Sequence, residues 1–116
     1  MEQNEIEKLS KEYQDIQEKL QALDFQKLQF NAQKQEYEDT ESEIENATNK
    51  IYKIIGGVMI ETTIEKAKAD IAEKKESISM RLSIIAKQQE KTIEREKELR
   101  EQLTKIFNEQ GASSTQ

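Results

Sequence analysis

Gly56-Gly57 is the one glycine pair in the sequence, and it lacks what phosphate chemistry needs. No Lys-Ser or Lys-Thr follows it, as a phosphate-binding loop requires, and no third glycine completes a dinucleotide fingerprint. The chain has no histidine and no cysteine. That removes the usual zinc sites and the Ser-His and Cys-His arrangements of nucleophilic catalysis. Aspartate and glutamate together number 24. A carboxylate becomes a general acid only in a buried, shaped pocket that moves its pKa, and a pair of thin helical arms offers none. No catalytic residue, cofactor or metal site is expected, and the chain does not read as an enzyme.

The elements that would position any site are set by composition. Over 116 residues, 34% are hydrophobic and 36% charged, with no proline. Globular domains carry about 45–50% apolar residues, so this chain is poorly supplied for a compact core of its own. Long helices, a coiled coil or disorder are the options for such a mixture. A net charge of −6 argues against nucleic acid and anionic lipid as partners. No apolar run approaches the ~20 residues of a membrane span. The opening "MEQNEIEKLS" lacks the apolar core of a signal peptide, and a cytoplasmic location is expected.

Periodicity favours helices. From Ile6, apolar residues recur at alternating spacings of three and four. Written as a heptad, the d positions are Leu9, Ile16, Leu23, Phe30, Tyr37 and Ile44. The a positions begin with Ile6, Tyr13 and Leu20, then turn polar at Lys27, Lys34 and Glu41. A second series has d positions at Ile64, Ile71, Ile78, Ile85, Thr92, Leu99 and Ile106, with weaker a positions at Lys68, Lys75, Leu82, Gln89, Glu96 and Leu103. Sustained heptads with charged flanks are the mark of a coiled coil. Asn4 with Glu7, and Thr62 with Glu65, carry capping-box spacing at the two starts. Gly111 is the expected stop, with a disordered tail over 111–116. Phe25, Leu28, Met80 and Ile84 fall off the seam and read as local packing or scattered exposure. The expectation is one domain: a helical arm over about 4–47, a β-hairpin over about 50–62, and a second arm over about 63–110.

The segment between the arms has a different period. "IYKII" and "VMIET" are rich in β-branched and aromatic residues, and Gly-Gly suits a two-residue primed turn needing φ > 0. That loop sets Ile55 opposite Val58, Ile54 opposite Met59 and Tyr52 opposite Glu61. Ile51, Ile55, Val58 and Ile60 then share one face, and Tyr52, Ile54 and Met59 the other. Both faces are apolar, and a lone two-stranded hairpin is marginal in water with two unpaired edges. Either the segment folds back on its own arms, or it joins strands of other chains in a closed sheet.

Helical arm, "IYKIIGGVMIETTIEKA", helical arm resembles the beta class of prefoldin. Tyr52, Lys53, Gly56, Gly57 and Glu61 carry the resemblance, which is strongest to the eukaryotic subunit 2 type, with the archaeal beta subunit as the close alternative. The fold class implied is mostly α: a long antiparallel two-helix coiled coil with one central β-hairpin that joins an intersubunit β-barrel. The family's two alpha-class and four beta-class chains form an ATP-independent holdase. Its coiled coils hold unfolded proteins, such as actin and tubulin, at their tips and pass them to a group II chaperonin. Carried onto this sequence, Ile51, Tyr52, Ile54, Ile55, Gly56, Gly57, Val58, Met59 and Ile60 become the assembly hairpin. Ile6, Leu9, Tyr13, Leu99, Leu103, Ile106 and Phe107 become the client-binding tip, or else simply close the coiled coil. Glu2, Glu5 and Glu109 could meet a chaperonin surface, or are solvated helix ends. The alternative function is a structural coiled-coil scaffold that handles no clients.

Overall fold

A computed structural model describes residues 2–114, with side chains over 3–110. The element order is α1 (Glu2–Glu45), β1 (Ile51–Ile55), β2 (Val58–Thr62) and α2 (Ile64–Ser114). The fold is mostly helical, two long helices with a central antiparallel hairpin, as the sequence led us to expect. The chain divides into two compact units, one of residues 1–26 with 85–116 and one of residues 27–84.

In the first unit the two helices pack antiparallel. Tyr13 on α1 meets Glu96 on α2, Glu12 meets Arg95, and Asp24 meets Gln89. The seam uses the heptad positions: Leu23 is buried on α1, and Ile85, Thr92 and Leu99 are buried at seven-residue intervals on α2. Leu99 is fully buried. Thr92 is a buried polar residue at a d position, and its hydroxyl donates to the Gln88 carbonyl at 2.6 Å, so no donor is stranded.

The second unit continues both series and adds the hairpin. Ile44, Ala67 and Ile71 form its buried cluster, with Tyr37 and Ile51 packed against it. Ile51 thus ties the base of β1 to the helices. Where the a positions are polar, charge replaces grease across the seam: Lys75 bridges Glu41 at 3.3 Å and Lys68 bridges Glu45 at 3.6 Å. Two cations lie over aromatic d residues of α1, Lys74 over Tyr37 at 5.9 Å and Arg81 over Phe30 at 5.6 Å.

Four sequence expectations are corrected in detail. Asn4 does not cap α1, which already includes Glu2; glutamate and glutamine are adequate helix formers, and an acid suits the positive end of the helix dipole. Thr62 does not cap α2 either, because it is the last residue of β2. Thr63 takes that role: its Oγ1 accepts from the Lys66 N–H at 3.2 Å, and its carbonyl accepts from Ala67 at 2.9 Å. Ile64 is therefore the first helical residue and lies too early for the seam; it is exposed, and Ala67 is buried under the hairpin instead. Finally, α2 runs through Gly111 to Ser114. A glycine ends a helix only by turning left-handed, and a right-handed one costs just about 1 kcal/mol relative to alanine. Of the tail expected over 111–116, Thr115 and Gln116 lie outside the described residues.

Candidate functional sites: the hairpin and the helix ends

The hairpin register is Ile51 with Thr62, Tyr52 with Glu61, Lys53 with Ile60, Ile54 with Met59, and Ile55 with Val58. Gly56 and Gly57 make the turn with φ of 55° and 81°. Both angles are left-handed, as a type I′ turn requires. A side chain at either glycine would meet nothing within 4 Å, so glycine is needed for backbone conformation and not for space.

Burial separates the base of the hairpin from the rest. Ile51 and Thr62 are half-buried, while Tyr52, Ile54, Ile55, Val58, Met59 and Ile60 are all exposed. Ile54 is 73% and Met59 66% exposed, and these two sit opposite each other on one face. On the other face, Ile55, Val58 and Ile60 are uncovered too. Exposed apolar surface on this scale, on a sheet with two free edges, is what association sites present. The charges beside it are tied to this chain: Lys53 to Asp70 at 3.7 Å and Lys50 to Glu61 at 3.8 Å.

The helix ends of the first unit are mostly closed. Ile6, Leu9, Tyr13, Leu103 and Ile106 are half-buried and Leu99 is buried. Phe107 is the exposed member of the expected tip set, at 55%. Glu5 and Glu109 are exposed, and the side chain of Glu2 lies outside the described residues. Sequence reading passed over Ile93, which is exposed and lies two heptads before Phe107 at the same heptad position, next after d. That repeat was the available signal. Below the tip charged residues flank the seam. Arg95 donates to Glu12 at 2.7 Å and to Glu98 at 3.0 Å. The bonds it donates to Glu12 first, then Glu98, raise the guanidinium above its ordinary pKa. Among the described residues, no cluster of acids is placed to hold a metal ion, and no helix is long and apolar enough to cross a membrane.

The pattern of a family described as "Prefoldin subunit" matches residues 7–110. A prefoldin subunit beta of Methanococcoides burtonii is 32% identical over 111 residues, covering 94% of this chain and 92% of that one. The prefoldin subunit beta of Pyrococcus furiosus is 31% identical, covering 85% of this chain and 86% of its own. The crystal structure of the prefoldin beta subunit from Thermococcus strain KS-1 superposes with a TM-score of 0.82 at 28% identity, over 87% of this chain and 90% of that one. These relatives are of the archaeal beta type, the alternative within the beta-class resemblance.

Proposed function

Because this chain belongs to the prefoldin subunit family, in its beta class, we propose that it is a subunit of an ATP-independent chaperone assembled with other prefoldin subunits, and that its hairpin is the joint. The observation that carries this reading is the hairpin's exposure. Six large apolar side chains are exposed on its two faces. Water disfavours such surface at roughly 25 cal/mol per Å2, so burying it in a sheet shared with alpha-class and other beta-class chains stabilises the assembly.

In this reading the helix ends hold unfolded proteins. Phe107 offers exposed apolar surface, and weak contacts repeated on several subunits add by avidity, since a client held at one tip is concentrated at the next. Transfer to a group II chaperonin and work in the cytoplasm belong to the same proposal. A chemically denatured client, diluted into buffer with the complex that contains this chain, should aggregate more slowly by light scattering than without it. A second reading, a scaffold without clients, is favoured by the buried Leu99 and the half-buried Leu103 and Ile106. No delay of aggregation by a correctly assembled complex would establish the scaffold.

A further inference from the structure

Most polar a positions of the seam are matched across the two helices. Glu41 meets Lys75, Lys68 meets Glu45, Gln89 meets Asp24, and Glu96 meets Tyr13. Lys27 and Lys34 are the exceptions: neither makes a hydrogen bond or an ion pair among the described residues.

Their neighbourhood is short of acids. On α1 no Asp or Glu occurs between Asp24 and Glu36, and on α2 none occurs between Glu76 and Glu90. The two stretches face each other, since Arg81 of α2 lies over the Phe30 ring of α1 at 5.6 Å. Within the second unit this window covers residues 27–35 and 77–84 and holds Lys27, Lys34 and Arg81 with no carboxylate side chain. In a chain of net charge −6 it is a local cationic band.

One side of the band is also apolar and open. Leu28 follows an a position and Asn31 follows a d position, which sets both on the same flank of the seam. In an antiparallel pair the corresponding positions of α2, Ser79 and Ser83, lie on that flank too. Leu28 is 69% exposed, and Lys27, Asn31, Ser79 and Ser83 are exposed as well. The two short serines leave Leu28 and its lysines uncovered.

Lys27 and Lys34 are about 10 Å apart along α1, at 1.5 Å per residue. Carboxylates seven residues apart on another helix have the same separation, and an apolar residue between them comes level with Leu28. A long polyanion fits less well. The acid-free stretch of α1 is only about 16 Å long, and nucleic acid running past it meets carboxylates at both ends.

We propose that the Lys27–Leu28–Lys34 face receives an amphipathic helix of another protein, one that carries acids a heptad apart with an apolar residue between them. Its acids pair the two lysines that the seam leaves unpaired, and its apolar residue covers Leu28, as a third helix packs on a two-helix seam. The site lies on the arm and is independent of the hairpin's role as the joint.

Amide chemical-shift mapping on the full-length chain tests it. The probe is a helical peptide with Glu at two positions seven apart and Leu between them. Its counterpart carries Lys in place of both Glu. The glutamate peptide should shift Lys27, Leu28, Asn31 and Lys34, and the lysine peptide should leave them unmoved. Lys27→Glu with Lys34→Glu should reverse that preference at unchanged helical content. Leu28→Ser, at an exposed position that leaves the seam intact, should weaken the glutamate peptide by roughly fivefold, as for loss of one partly buried leucine. Lys27→Leu with Lys34→Leu should raise the melting temperature, as apolar a positions do, and abolish peptide binding. Binding that survives this last change, equal shifts from the two peptides, equal shifts from a short RNA oligomer, or no shift from the glutamate peptide would each overturn the proposal.

Discussion

The Tyr13 hydroxyl donates to Glu96 Oε1 at 3.0 Å, joining two a positions 83 residues apart across the antiparallel seam. Glu96 is well covered, with its side chain only 13% exposed, and a cationic neighbour, Arg100, stands at 3.9 Å. This pair converts a heptad position that reads as a defect into a cross-helix contact. Tyr13→Phe removes the donor and leaves the carboxylate short of a partner. We expect a loss of about 1.5–3 kcal/mol in urea unfolding, the range for hydrogen bonds to charged groups. Unchanged unfolding would mean that water replaces the hydroxyl at no cost.

Thr92 makes the opposite prediction. Its hydroxyl back-bonds to the Gln88 carbonyl within one helix and contributes nothing across the seam. Thr92→Val keeps the branched shape, removes a buried polar group whose partner is an ordinary helical carbonyl, and adds a methyl group to the contact. Stability should rise by about 0.5–1 kcal/mol, at the level of one buried methyl or methylene group. Loss of stability in a thermal melt would show that the hydroxyl has a partner role on the facing helix.

The turn glycines separate conformation from packing. A Cβ at Gly57 has open space yet sits at φ 81°. Gly57→Val should therefore disturb the hairpin by backbone strain of at least about 1–2 kcal/mol. Gly56→Asn should be tolerated, because Asn-Gly is a favoured type I′ pair. Cross-strand contacts between Ile54 and Met59, followed by NMR, should survive the second change and weaken in the first.

Much of this was legible in the sequence because the two periods are so distinct. A repeat of seven places Leu23, Ile44, Ile71, Ile78, Ile85 and Leu99 in the buried seam. Alternation around Gly56-Gly57 gives every cross-strand pair in the observed register. The misses lie where a local rule has close competitors. Thr62 and Thr63 are chemically equal caps, and the length of β2 decides between them. Ala67 is too small to announce itself as core until Ile51 is laid over it. The role of the helix ends is legible only as far as exposure goes, which singles out Phe107 and leaves Ile106 half-buried.

That difference can be measured. Phe107→Ser removes exposed apolar surface, so unfolding should change by less than about 0.5 kcal/mol. If the ends hold clients, the complex carrying it should delay aggregation less than the parent. Ile106→Ser, at a half-buried seam position, should cost stability as well, about 1 kcal/mol or more. Equal client protection by the parent and Phe107→Ser, in intact complexes, would remove Phe107 from the binding surface.

Native mass measurement of the chain with its partner subunits, with and without the double change Ile54→Asp and Met59→Asp, addresses the joint most directly. The two side chains face each other on the exposed hairpin, and unpaired carboxylates are costly to enclose in a shared sheet. The parent should be recovered in a multi-subunit complex. The double variant should keep its helical content and be recovered free of partners. A double variant that assembles to the same mass as the parent would contradict the hairpin's role as the joint.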